Sequence, residues 1–144
     1  MNKYKLMKEN HQKEVNEFPM FFAFSQEQFT EGMKKLGLDP NEKDKICPIG
    51  SSGGFLLKSD VKKFKEMMDR HDKELKDTMS NDDQFIFDMF DYELGNHEYV
   101  VTYDPTDAIY ALGLTETEVQ NDERLYNALT KACEAQKEWY RLYG

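Results

Sequence analysis

Apolar side chains recur along most of this chain at spacings of three and four, the period of a helix with one buried face. From Lys3 to Phe18 they fall at Tyr4, Met7, Val15 and Phe18, with His11 on the same stripe. Pro19 ends that segment. Met20–Phe24 is an unbroken apolar run instead, which suits a short buried strand. Ser25 with Gln28 three residues on forms a capping box. It opens a helix that turns Phe29, Met33 and Leu36 inward and stops at Gly37.

Two β-rich runs come next, Lys45–Ile49 and Phe55–Lys58, on either side of Gly50-Ser51-Ser52-Gly53-Gly54. This pattern predicts a hairpin over 45–58. Ser59 or Asp60 caps a long helix with the stripe Val61, Phe64, Met68, His71, Leu75 and Met79, and Ser80–Asp83 breaks it. Asp83 to His97 is apolar around most of its circumference, as in a central, buried helix. Its one polar line is Gln84, Asp88, Asp91, Gly95 and Glu98, stepping by four, three, four and three. Tyr99–Tyr103 is β-rich and reads as a strand. Asp104-Pro105 starts a short helix that ends at Gly113, and Thr115 with Glu118 caps another turn. Asp122–Tyr143 is a final helix, packing through Leu125, Leu129, Ala132, Gln136, Trp139 and Tyr143. The pattern as a whole predicts an α+β fold. It is a helix-dominated single domain over 1–144, with a small antiparallel sheet of three strands, or four if Tyr99–Tyr103 joins.

Charge changes the picture more than composition does. The net charge is −9, yet residues 1–76 hold 15 Lys+Arg against 13 Asp+Glu. Residues 77–123 hold 13 Asp+Glu and no Lys or Arg. Such a block resists compaction through self-repulsion, which invites a functional reading, although acidic surface also serves solubility. The longest apolar run, Met20–Phe24, is far short of the roughly 20 residues of a membrane helix, so no membrane partner is expected. Met1–Glu17 is charged throughout and has no apolar signal core. Cys47 and Cys133 show neither metal-ligand spacing nor a disulfide framework. These features point to a cytoplasmic protein with reduced thiols.

Local motifs for chemistry are sparse. A phosphate loop ends in Gly-Lys-Ser/Thr and opens a helix; Lys58-Ser59 follow a strand instead, so Gly50–Gly54 reads as a hairpin turn. His11, His71 and His97 each lie on an apolar helical stripe, and Glu93 precedes His97 by one turn. Four such groups converging would serve acid–base or metal chemistry. The competing account is a set of buried, hydrogen-bonded polar residues in which His71 and His97 serve packing. No calcium-loop pattern occurs among the acids, and no cofactor or metal is implied. The acids Asp88, Asp91, Glu98, Asp104, Asp107, Glu116 and Glu118 read as an exposed carboxylate surface. Such a surface suits a partner protein with a basic face, including one that binds nucleic acid, while its sign disfavours nucleic acid itself.

Three stretches carry a resemblance. They are Phe18-Pro-Met-Phe-Phe-Ala-Phe-Ser25 with Leu36-Gly-Leu38, then Ile49-Gly50 with Gly53-Gly-Phe55, then Asp88-Met-Phe-Asp-Tyr-Glu-Leu94 with Asn96-His-Glu-Tyr99. The chain resembles a family of small uncharacterised proteins of Firmicutes and of their phages and mobile elements. The resemblance covers most of the chain and implies no activity and no catalytic residues. It implies a bacterial host cell, where small acidic phage proteins act as inhibitors of defence enzymes. The expected function is therefore a non-enzymatic interaction protein whose acidic face docks on a basic partner. The alternative is a small metal-assisted enzyme built on Glu93, His97, His71 and His11.

Overall fold

The computed structural model describes residues 1–144. It holds eight α-helices and a three-stranded antiparallel sheet, a helix-dominated α+β fold. The helices are α1 Lys3–Glu17, α2 Gln26–Lys35, α3 Val61–Asn81, α4 Asp83–Asn96, α5 Tyr99–Thr102, α6 Thr106–Ala111, α7 Glu116–Gln120 and α8 Glu123–Tyr143. The strands are β1 Met20–Phe22, β2 Ile46–Ile49 and β3 Gly54–Leu57. Two compact units divide the chain. One comprises Met1–His11 with Glu74–Gly144, and the other Gln12–Lys73. Helices α1 and α3 contribute residues to both.

The contiguous unit holds the sheet, in the order β1-β3-β2. The expected hairpin forms, with Ile46 opposite Leu57 and Ile49 opposite Gly54. Its loop turns through left-handed glycines Gly50 and Gly53, a conformation that costs glycine little. β1 pairs with the other edge of β3, Phe21 opposite Phe55. Helix α2 begins at the expected capping box: Ser25 Oγ accepts from the Gln28 amide at 3.2 Å, and Gln28 Oε1 accepts from the Phe24 amide at 2.7 Å. The core is Phe21, Met33 and Ile46, with the rings of Phe21, Phe29 and Phe55 packed against one another. In α3 the buried residues of this unit are Met67 and His71, whereas Met68, expected inward, is exposed. The inward position shifts by one residue at that turn only, since His71 keeps its expected place.

The discontinuous unit is built around α4. Phe85, Ile86, Met89, Phe90 and Leu94 are buried along it, and it packs chiefly on α8 through Leu125, Ala128 and Ala132. The first turns of α1 add Tyr4, whose ring meets Phe85 edge-on at 6.0 Å. Residues 99–103, expected as a strand, form α5 instead. With no neighbouring strand to pair, their amides bond locally, Tyr103 N to Tyr99 O at 2.7 Å. β propensity yields there to the absence of a ladder.

Candidate functional site

The polar line of α4 divides when folded. Asp88, expected in the exposed row, is 6% exposed. Its carboxylate accepts from the Lys3 amide at 2.8 Å and from the Gln84 side chain at 2.8 Å, while its carbonyl accepts from Asn2. The reason is local: the first turn of α1 leaves amides without helical partners, and Asp88 supplies an acceptor. Asp91 is half-buried and accepts from Gln136 of α8 at 2.9 Å. Glu98 remains exposed and makes no side-chain hydrogen bond or ion pair among the described residues.

Several acids of the 77–123 block receive cations from outside it. Lys3 binds Asp82 at 2.9 Å, Lys8 binds Glu93 at 3.1 Å, and Arg124 binds Asp83 at 2.7 Å. Asp82 also caps α4, accepting from the Phe85 amide at 3.1 Å. Its carboxyl is held below the usual range, first by the Lys3 hydrogen bond and then by that amide. The acids farther along find only neutral donors. Thr106 donates its amide to Asp104 and shares its one hydroxyl proton between Asp104 and Glu116, and Thr115 donates to Glu118. The Thr106 hydroxyl and amide hold Asp104 below the usual carboxylate range. Asp107 is exposed and makes no side-chain bond among the described residues. Glu98, Asp104, Asp107, Glu116 and Glu118 are thus exposed carboxylates without a cationic partner.

Beside it lies a groove of about 690 Å³ between α4, α5 and α8. Phe87, Val100, Val101, Ala135 and Trp139 give it apolar walls, and Asp91 and Glu98 are its only charged lining residues. Val101 is 73% exposed and Trp139 60%. Trp139 and Tyr143, expected to pack inward from α8, instead face solvent with their rings 5.8 Å apart. The helical stripe of α8 outruns the length of α4 that could cover it. The sequence signal for the groove was the apolar continuation of that stripe into the last two turns. Helix α5 is bounded by two left-handed residues that are not glycine, Glu98 (φ 54°) and Tyr103 (φ 58°). Lys137 lies over the Tyr103 ring at 5.3 Å.

Of the four groups of the enzymatic alternative, Glu93 and His97 meet each other, and His11 and His71 each pair elsewhere. Glu93 is 1% exposed and is contacted by the Tyr4 hydroxyl at 3.3 Å, Lys8 Nζ at 3.1 Å and His97 Nε2 at 3.4 Å. Burial, and then the Glu93 charge, raise the Tyr4 hydroxyl well above its ordinary range. His97 sits past the end of α4 with a partly exposed side chain, not buried as expected. His11 Nε2 lies 3.0 Å from Glu74. His71 is buried, as expected, in the contiguous unit, 2.9 Å from Glu14. Arg70 also binds Glu14, and Arg70 with His71 draws that carboxyl below its usual range. No group of three or more His, Cys, Asp or Glu side chains is arranged to hold a metal ion. Burial pushes the Cys133 thiol up, which makes it a weak nucleophile. No helix is long and apolar enough to cross a membrane.

Residues 3–135 match the model of a family of unknown function (DUF7659). No curated protein and no solved structure matches the chain.

Proposed function

The chain belongs to this family of unknown function, DUF7659, and from its own residues we propose that it is a non-enzymatic interaction protein whose acidic face docks on a basic partner protein. The observation that carries the reading is how unevenly the acidic block is neutralised. Asp82, Asp83 and Glu93 take cations from the flanks. Glu98, Asp104, Asp107, Glu116 and Glu118 take none. Their mutual repulsion persists in the free protein and is relieved by a cationic surface. Asp88 leaves the docking set, because its carboxylate is spent inside the fold.

The partner of this reading is a protein with a Lys/Arg-rich groove, as on a nucleic-acid-binding or defence protein, which carboxylates would occupy in place of phosphates. In a bacterial cell that makes the chain an inhibitor carried by a phage or mobile element. The alternative, a metal-assisted enzyme, gains little from Glu93 and His97, since Lys8 and Tyr4 already occupy that carboxylate. The test is capture of partners from the host, followed by affinity measurements at several salt concentrations. Affinity should fall steeply as the screening length shrinks to about 10 Å at 0.1 M. Charge reversal at Asp107 and Glu116 should slow association more than it disturbs folding. A salt-independent affinity would reduce the acidic surface to a solubility feature.

A further inference from the structure

We propose that the groove between α4, α5 and α8 is where docking occurs, and that its occupant is an amphipathic, basic helix of a partner protein. This rests on the acidic-docking reading and says where the partner binds and what shape it has. The apolar walls are built for a side chain from outside. Trp139 and Val101 stand largely in solvent on opposite elements, and large exposed aromatics set in a groove are the usual anchors of an interface. The charge of the groove selects among occupants. Its only charged lining residues are Asp91 and Glu98, and the acids of α5–α7 continue from it along the chain. An acidic peptide or a nucleic acid is repelled; a Lys/Arg-bearing segment is attracted.

Dimensions select a helix. The α4 part of the lining runs from Phe87 to Gly95, about 12 Å at 1.5 Å per residue, which seats about two turns. Asp91 lies within α4 and Glu98 two residues past its end, so basic residues along the flank of a docked helix face a carboxylate in the groove and another at its rim. The same wall carries the backbone strain. Glu98 holds a left-handed conformation that a glycine would hold more easily, and keeps its carboxylate at the rim.

The chain has a single tryptophan, Trp139, so its emission reports on the groove directly. The probe is a synthetic helical peptide of about 18 residues. It carries leucines at i, i+3, i+4 and i+7 and lysines on the flanks. The control has the same composition in an order that spreads leucine around the helix. We expect a saturable blue shift of Trp139 with the patterned peptide and affinity at least about tenfold weaker for the control. Val101→Asp should abolish saturation. Asp91→Asn with Glu98→Gln should weaken binding about five- to tenfold and flatten its salt dependence. Far-UV circular dichroism establishes that each variant is folded.

Equal responses to the two peptides, no response to either, or unaltered binding in Val101→Asp would overturn the inference. If neutralising Asp104, Asp107, Glu116 and Glu118 abolishes binding while the groove variants bind normally, acidic docking survives and the groove assignment falls. If the groove variants lose binding that no salt concentration affects, the occupant is not basic, and the acidic-docking reading falls with it.

Discussion

Two residues of one polar line have opposite fates. Spacing gave Asp88 and Asp91 the same exposure, because a helix of known period cannot reveal which neighbour will fold across it. The neighbour is the first turn of α1, whose Lys3 amide takes the Asp88 carboxylate. Asp88→Lys should therefore cost about 3 kcal/mol or more, since it strands a buried charge and an amide. Asp91→Lys, at a half-buried rim, should cost about 1 kcal/mol; urea midpoints of the two variants give the comparison. Glu98 poses the reverse case. Its φ of 54° costs an L-residue about 1–2 kcal/mol, whereas glycine's extra chain entropy costs about 0.5–1 kcal/mol. Glu98→Gly should raise stability by about 0.5–1 kcal/mol and lower affinity for a basic partner, a trade seen by pairing urea unfolding with the peptide titration. Nothing in the sequence marks that conformation, which arises from packing α5 against α8.

Elements were legible where their signals were local. The capping box at Ser25, the hairpin over 45–58 and the cap at Thr115 all formed where the side-chain chemistry placed them. Residues 99–103 form α5 and not a strand because β propensity describes a fit to a sheet surface, and they pair with no strand. Gly32 shows an element-scale need that period alone misses. A methyl there would fall within the Phe21 ring, so glycine lets α2 close on β1. Gly32→Ala should destabilise by about 2 kcal/mol despite its better helix propensity, and thermal unfolding will show a lowered midpoint. The cap of α4 has its own signature in pH. Asp82 is held below the usual carboxylate range, so its contribution is complete above that range and is lost as pH falls through its depressed folded value. Asp82→Asn should reduce the pH dependence of stability on the acidic side, measured as unfolding free energy from pH 7 to pH 2.

For the whole molecule, the sequence placed the charge correctly and left open what would balance it. The block at 77–123 has no cations of its own, and Lys3, Lys8 and Arg124 reach it from sequence positions far outside. Only the fold could reveal that two of these three cations come from residues 1–8. That arrangement has a consequence in time. Asn2, Lys3, Tyr4 and Lys8 find their partners at positions 82–93, whereas Gln12–Lys73 form a unit from one continuous stretch. During synthesis the inner stretch can fold first. The opening residues must wait for a partner 85 positions later, roughly 4–17 s at ribosomal speed. In nascent chains stalled with residues 1–81 outside the ribosome, Gln12–Lys73 should resist limited proteolysis while Met1–His11 is cut. Release of the finished chain should protect both. Lys3 and Lys8 thus stay unanswered until the acids at positions 82–93 have been made, and a slow ribosome prolongs that interval.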